Sequence, residues 1–218
     1  MSALFARLKA DNRAAWDAYI DHAFVRRLAD GSLPEIAFRH YLARDYLFLI
    51  HFARASALAA YKSDTLSDIR QAAASLSNIV EREMALHVEF SRAWGLSEAD
   101  MQVEPEAPQT MAYTRFVLER GMAGDVLDLH VALSPCLVGY AEIARVIGPV
   151  APDNPYRAWV EAYASDDYQQ AAEGEIALLD SLMVRRGGAG RHASLSATFA
   201  AATRLEADFW QMGLDAAR

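Results

Sequence analysis

The 218-residue chain has few of the residues that define several common protein classes. A single cysteine, Cys136, excludes an internal disulfide framework and a zinc site built from several thiolates. The 11 glycines and 7 prolines are too few for a collagen-like chain or for long disordered stretches. Lysine and arginine number 21 against 29 acidic residues, and the net charge of −8 disfavours sequence-independent binding to nucleic acid.

Long hydrophobic runs are also missing from the sequence. The most apolar stretch, 129–141, is shorter than the roughly 18 residues that span a bilayer, and it contains His130, Ser134 and Pro135. The first residues show no basic region followed by an apolar core, so no secretory signal is predicted. We therefore expect a cytoplasmic protein that binds neither nucleic acid nor a membrane.

Apolar residues at helical spacing are abundant, whereas the polar–apolar alternation typical of strands is not found. Ser32 and Glu35 form a capping-box pattern that predicts a helix start. The predicted helices cover 3–29, a segment from the Ser32 cap to about residue 61, 66–94, 110–120, 125–147, 156–163, 169–185 and 193–214. Since no repeat or long linker divides the chain, we expect one all-α domain over residues 1–218, a multi-helix bundle.

The only thiol follows a proline inside one of these predicted helices. Pro135 has no N–H to donate, so the carbonyl of Val131 should lose its helical partner and the helix should kink beside Cys136. Such a kink can direct the sulfur into a cavity. A lone cysteine is more often a small buried hydrophobe, and the sequence around Cys136 leaves both interpretations open.

Three predicted helices each place a reactive or hydrogen-bonding group one turn from an aromatic ring, on the same helix face. The pairs are Cys136 with Tyr140, Asp45 with Tyr41 and Phe48, and Glu206 with Phe209 and Trp210. If these faces meet, they form an apolar slot for a flat polar heterocycle, with acids beside its nitrogens. The alternative is that the aromatic rings pack the core and the acids are solvated.

Glu83 and His87 also lie one turn apart, but the Glu-x-x-His pairs of a di-iron bundle are missing. We therefore expect a carboxylate–histidine pair rather than a metal site. A metal-dependent oxidase remains an alternative function, and metal analysis of the purified protein separates the two.

Five segments occur in order that together resemble the TenA (thiaminase II) family. They are 38–48, the segment from Glu83 to His87, 132–142, 154–163 and 205–212. The specific signature is Pro-Cys-Leu-x-Gly-Tyr, followed late in the chain by Glu-x-x-Phe-Trp. The resemblance covers essentially the whole chain and implies a haem-oxygenase-like fold and a homotetramer.

The same resemblance implies an enzyme of thiamine salvage that needs no metal or organic cofactor. Its small-molecule substrates would be 4-amino-5-aminomethyl-2-methylpyrimidine and thiamine, each giving 4-amino-5-hydroxymethyl-2-methylpyrimidine. By this resemblance, which places the chain with the cysteine-bearing type, Cys136 is the nucleophile and Glu206 the acid/base. Asp45 is expected to hold the aminopyrimidine edge as an ionised carboxylate. The other expected substrate-binding residues are Phe48, Tyr113, Tyr140, Tyr163 and Phe209. A third possibility is a non-catalytic regulator that binds a pyrimidine or thiamine.

Overall fold

The computed structural model describes residues 4–188 and 190–218, and the predicted all-α fold is confirmed for this part of the chain, where no β-strand occurs. Ala3, where the first helix was predicted to start, lies outside the described residues. The helices are α1 (Leu4–Asp11), α2 (Arg13–Ile20), α3 (Ala23–Asp30), α4 (Glu35–Lys62), α5 (Leu66–Ser77), α6 (Met84–Ala93), α7 (Glu98–Val103), α8 (Pro108–Ala123), α9 (Val126–Ile147), α10 (Arg157–Ala164), α11 (Asp166–Arg186) and α12 (Arg191–Asp215). A π-helical segment, Asn78–Glu83, joins α5 to α6.

The chain divides into two compact units. The first unit contains the residues up to Leu33 together with His130–Gln211, and the second contains Pro34–Leu129 together with Met212–Arg218. The organisation of residues 1–218 as one domain stays a prediction.

The first predicted helix is wrong as a single element, because the structure has three helices there. Asn12 ends α1 by donating from its side-chain amide to the Leu8 carbonyl over 2.8 Å and to Ser196 Oγ over 2.9 Å. His22 caps α3, with its Nδ1 accepting the backbone N–H of Phe24 over 3.2 Å. These polar side chains satisfy backbone groups that a continuous helix would pair internally.

The capping box expected at Ser32 is also wrong. Helix α4 begins at Glu35, after an extended Pro34. Because the residue before a proline is disfavoured in the helical region, Leu33 cannot easily form the first turn. The backbone N–H of Ser32 instead donates to the Asp30 carboxylate over 2.9 Å.

Two further differences lie between α6 and α9. Helix α7 occupies what was predicted as a connection, and its capping box is formed by Ser97 and Asp100. Gly121, which falls between the predicted helices 110–120 and 125–147, lies inside α8. A Cβ at this position would lie 2.8 Å from Leu58 and 2.9 Å from Leu129, so the glycine permits close packing rather than a break.

Helix α9 extends beyond the 129–141 stretch seen in the sequence. With 22 residues, it is the one helix in residues 4–188 and 190–218 that is long and apolar enough to cross a membrane. Since 72% of its most apolar window is buried inside the structure, α9 has the burial of a core helix.

Aromatic residues dominate the core of the first unit. Trp16 stacks on Phe199 with ring centroids 5.6 Å apart, and Phe5 meets Trp16 edge-on at 5.5 Å. Each such pair adds about 0.5–1.5 kcal/mol to the gain from burial. In the second unit, one core cluster lies between α4, α6 and α7 and contains Ala43, Tyr46, Leu47, Val88 and Met101.

Candidate active site

Helix α9 continues through Pro135 because a side chain replaces the missing hydrogen bond. The hydroxyl of Ser134 donates to the carbonyl of Val131 over 3.0 Å, in a buried position. This is the carbonyl that the sequence predicts to lose its backbone partner. The carbonyl of Pro135 in turn accepts a hydrogen bond from the hydroxyl of Tyr19 over 3.2 Å. The backbone beside Cys136 is therefore held by two specific side-chain contacts.

Gly139 gives Tyr19 the space to reach this backbone. A Cβ at position 139 would lie within 2.6 Å of the Tyr19 hydroxyl, which is closer than real Cβ contacts. Cys136 itself is only half-buried, unlike the fully buried hydrophobe that its sequence context also allowed. The proline and the glycine that flank Cys136 in the signature segment thus both lie against Tyr19.

Aromatic rings lie one turn beyond the thiol. Tyr140 is 4.9 Å from Tyr163 and 5.1 Å from Trp210, measured between ring centroids. Trp159, which sequence reasoning did not single out, lies 4.5 Å from Tyr163 and 5.8 Å from Tyr140. The structure therefore brings together two of the predicted substrate-binding tyrosines, which lie on α9 and α10.

Glu206 lies on α12, four residues before Trp210, and is 2% exposed. Phe209 is equally buried. Because Trp210 contacts Tyr140, the helix that carries Glu206 packs against the helix that carries Cys136 within the first unit. Each of these two residues lies one turn before the contact residue of its own helix.

In the second unit, Asp45 is a buried carboxyl on α4, with 6% exposure. The hydroxyl of Tyr41 donates to its Oδ2 over 3.4 Å. Burial raises the pKa of Asp45 to about 7, and the Tyr41 hydrogen bond only partly offsets this. Burial therefore opposes the full ionisation expected of Asp45, and the ionised carboxylate stays a prediction.

Phe48 and Tyr113 form an apolar wall in the second unit. Their ring centroids are 5.1 Å apart, and Phe48 also stacks with Phe52 at 6.1 Å. Phe48 lies one turn after Asp45 on α4. The structure thus places three of the predicted substrate-binding residues, Asp45, Phe48 and Tyr113, on the neighbouring helices α4 and α8.

His87 on α6 makes contacts with α4 through both ring nitrogens. Its Nε2 lies 2.9 Å from the carbonyl of Leu42, and its Nδ1 lies 3.5 Å from Oδ2 of Asp45. Since a carbonyl only accepts, Nε2 carries the hydrogen. Burial lowers the pKa of His87 to about 4, so the ring is neutral and Nδ1 has a lone pair. The predicted carboxylate–histidine pair has Asp45 as its carboxylate rather than Glu83.

The π-helical segment places Glu83 near the same group. The N–H of Met84 donates to the carbonyl of Ile79, five residues earlier, as π-helical hydrogen bonding requires. The side-chain amide of Asn78 donates to Glu83 Oε1 over 2.8 Å. Burial, and then the charge of Asp45, raises the pKa of Glu83. Within the described residues, no group of three His, Cys, Asp or Glu side chains is placed to hold a metal ion.

A groove of about 610 Å³ lies at the end of α9 and along α10. None of the predicted site residues lines it. Its charged side chains already have partners, since Arg157 pairs with Glu161 over 2.6 Å and Arg145 donates to Gln169 over 2.6 Å. We assign no chemistry to this groove.

Comparison with known proteins connects these residues to a family. A model of the TENA/THI-4/PQQC family matches residues 9–216. An aminopyrimidine aminohydrolase of Halalkalibacterium halodurans is 34% identical over 200 residues, which span 90% of this chain and 89% of that protein.

Solved structures show the same fold. A TenA family transcription regulator from a Silicibacter species superposes with a TM-score of 0.93 at 44% identity, covering 97% of this chain and 96% of that one. A Shewanella denitrificans domain with a haem-oxygenase-like fold superposes with a TM-score of 0.75 at 13% identity, covering 97% of this chain and 92% of that one. The expected haem-oxygenase-like fold is confirmed.

Proposed function

The chain belongs to the TENA/THI-4/PQQC family, and on this premise we propose that it is a hydrolase of thiamine salvage, an aminopyrimidine aminohydrolase. The observation that carries the proposal is the match to a named aminohydrolase over 90% of the chain. The proposed reaction converts 4-amino-5-aminomethyl-2-methylpyrimidine and water into the 5-hydroxymethyl compound and ammonia. Thiamine is the second proposed substrate, with the thiazole as its leaving group.

Asp45 is proposed to bind the edge of the pyrimidine. This edge presents a hydrogen-bond donor, the 4-amino group, beside an acceptor, the adjacent ring nitrogen. A carboxylate accepts only, whereas a carboxylic acid both donates and accepts and matches the pair. The raised pKa of Asp45, about 7, supports this role because it supplies the necessary proton near neutral pH. Phe48 and Tyr113 are proposed to contact the ring.

Cys136 is proposed to add to a ring carbon as the thiolate, and Glu206 to protonate a ring nitrogen as the C–S bond forms. The adduct then expels the amine, which takes up a proton, and leaves an exocyclic alkene. Water adds to this alkene, the ring nitrogen returns its proton to Glu206, and the thiolate departs with the C–S electron pair. Tyr140, Tyr163 and Phe209 are proposed to complete the binding surface. The contact between the helices that carry Cys136 and Glu206 supports this assignment.

The test is incubation of the protein with the aminomethyl pyrimidine and with thiamine, while the hydroxymethyl pyrimidine is measured. Cys136→Ala should abolish turnover and still bind the pyrimidine. Cys136→Ser keeps the size of the side chain, and it should lose nearly as much activity because a hydroxyl is a far weaker nucleophile at neutral pH. Undiminished kcat in the alanine variant would contradict the nucleophilic role.

A binding protein without catalysis is the second candidate, because the solved structure at 44% identity is described as a transcription regulator. That function predicts saturable binding of a pyrimidine or thiamine with no hydroxymethyl product. We also propose a cytoplasmic homotetramer, as the family resemblance implies. Sedimentation equilibrium at a mass of four chains is the expected result for the assembly.

A further inference from the structure

We propose that Tyr19 is a positioning residue that sets the place of the Cys136 thiol relative to Glu206. Its hydroxyl holds the backbone that leads into Cys136, and its ring packs on the helix that carries Glu206. The inference rests on the proposed function for the roles of the thiol and the carboxyl. The contacts of Tyr19 themselves do not depend on which reaction takes place.

The hydroxyl of Tyr19 restrains the peptide group that joins Pro135 to Cys136. It donates to the carbonyl oxygen of Pro135 over 3.2 Å, in a buried position. Because a peptide group is planar, a bond to its oxygen also restrains the N–H and the Cα of Cys136 at its other end. The φ angle of Pro135 is already fixed by its ring. The direction in which the Cα–Cβ bond of Cys136 leaves the helix therefore depends on the bond to Tyr19.

This restraint acts at a turn of α9 that lacks one of its own backbone hydrogen bonds. Since Pro135 has no N–H, the carbonyl of Val131 accepts from the hydroxyl of Ser134 instead, over 3.0 Å. A turn with a missing backbone bond is held less firmly by the helix itself. The contact from Tyr19 on α2 therefore contributes more to the geometry beside Cys136 than it would in an uninterrupted helix.

The ring of Tyr19 connects this turn to the helix that carries Glu206. It stacks on the indole of Trp210, with 6.4 Å between the ring centroids and 15° between the ring planes. Trp210 lies four residues after Glu206 on α12, which is about one helical turn. One side chain thus contacts the peptide group before Cys136 and the turn after Glu206, and all of these residues belong to the first unit.

Tyr19 is itself held in place on all sides. It is fully buried, and the ring of Trp16 meets it edge-on with centroids 5.7 Å apart. The indole N–H of Trp16 donates to Glu142 on α9 over 3.1 Å. On another side, a Cβ added to Gly139 would lie 2.4 Å from the Tyr19 ring. A side chain whose own rotamer is locked by its neighbours can fix the position of a reacting group.

The first test is Tyr19→Phe, which removes the hydroxyl and keeps the ring. The thiol should then sample more directions, and kcat for the aminomethyl pyrimidine should fall about fivefold, the effect of one hydrogen bond. KM and the dissociation constant of the hydroxymethyl product should stay within about twofold of the wild-type values, because Tyr19 is not part of the proposed binding surface. A merely structural tyrosine would contribute to stability and leave kcat unchanged.

Tyr156→Phe is the matched control. Tyr156 is also a buried tyrosine of the first unit, and its hydroxyl donates to a backbone carbonyl, that of Leu33. The two variants should lose similar free energies of unfolding in urea, since each loses one buried hydrogen bond. Tyr156→Phe should nevertheless keep the wild-type kcat when all proteins are assayed without denaturant.

A second measurement follows the thiol itself and needs no substrate. Cys136 is the only cysteine of the chain, so loss of free thiol in iodoacetamide reports this residue alone. A half-buried thiol reacts when the structure around it opens, and loss of the Tyr19 hydroxyl should raise the alkylation rate about fivefold. Tyr156→Phe should keep the wild-type rate. Faster alkylation together with slower turnover is the result expected of a positioning residue.

The role of the ring is tested with Tyr19→Leu, which also removes the stack on Trp210. Its kcat should be lower than that of Tyr19→Phe by about a further fivefold, because an aromatic pair contributes beyond its buried area. Urea unfolding shows whether this variant is folded under the assay conditions. Equal kcat values for the two folded variants would overturn the contribution of the ring to the position of Glu206.

The outcomes separate this inference from the proposed function. If the wild-type protein forms the hydroxymethyl pyrimidine, an unchanged kcat or an unchanged alkylation rate in Tyr19→Phe overturns the inference and leaves the proposed function standing. If the wild-type protein converts neither substrate, the proposed function is overturned. The alkylation rates then decide alone: a faster rate in Tyr19→Phe than in Tyr156→Phe supports the hold of Tyr19 on the thiol, and equal rates overturn it.

Discussion

Replacement of either Asp45 or His87 should reveal a pH dependence of stability that the wild-type pair conceals. Between about pH 4 and 6.5, the folded pair holds one proton, on Asp45, because the pKa of Asp45 is raised to about 7 and that of His87 lowered to about 4. The unfolded pair also holds one proton, but on His87, since the ordinary values are 3.8 and 6.5. Unfolding then neither takes up nor releases a proton at this pair.

Asp45→Asn leaves the contribution of His87 alone. The pKa of this ring is lower in the folded state, so the unfolded state binds the extra proton, and stability is lost as pH falls from 6.5 to about 4. One proton corresponds to about 1.4 kcal/mol per pH unit, or about 3 kcal/mol over this range.

His87→Gln leaves the contribution of Asp45, which has the opposite sign. Here the pKa is higher in the folded state, so stability is gained as pH falls from about 7 to 3.8. The gain should reach about 4 kcal/mol, because one proton again corresponds to about 1.4 kcal/mol per pH unit and the range is slightly wider.

Urea unfolding at a series of pH values, followed by tryptophan fluorescence and circular dichroism, measures both effects. The free energy of unfolding of each variant is compared with that of the wild-type protein at the same pH, so that other titrating groups cancel. The two difference curves should have opposite slopes. Parallel or flat curves would refute the two opposite pKa shifts, as would a wild-type curve steeper than the curves of both variants.

Three further predictions concern the first unit. Gly139→Ala should destabilise the protein by about 1–3 kcal/mol, because the added methyl group clashes with Tyr19. Gly174→Ala should stabilise the protein by about 0.5–1 kcal/mol, because Gly174 lies inside α11 with open space around it. Equal effects of the two substitutions on urea unfolding would contradict the packing argument. Ser134→Ala should cost about 1 kcal/mol, because a buried carbonyl loses the hydroxyl that replaces the proline N–H; unfolding at the wild-type urea concentration would show that this bond contributes nothing. Glu206→Gln should lower kcat far more than it raises KM for the aminomethyl pyrimidine. A change confined to KM would show that Glu206 binds the substrate without acting as the acid/base.

Helical spacing predicts most of the fold because burial selects residues on one face of each helix. The breaks at Asn12 and His22 do not follow from that spacing, since each depends on a polar side chain that reaches a backbone group. Gly121 shows the reverse error. A glycine can end a helix or permit close packing, and only the neighbouring leucines distinguish the two.

Some contacts of the candidate site can likewise be predicted from the sequence, and others cannot. Spacing along one helix pairs Asp45 with Tyr41, and the structure contains that contact. The partner of His87 lies on another helix, so the spacing between Glu83 and His87 cannot identify it. The hydroxyl of Ser134 stands next to the proline in the sequence, and a serine there is the signal that the open carbonyl has a substitute donor.

The π segment before α6 makes the direction of an imidazole depend on a count of residues. Deletion of one residue within 78–83 would favour ordinary α-helical bonding and would rotate everything after it by about 100° about the helix axis. His87 would then point away from α4, although no residue of α6 had changed. A change of length in this short segment would therefore separate His87 from Asp45, as a substitution of the histidine would. Single substitutions do not test this dependence, because they leave the rotation of α6 about its own axis unchanged.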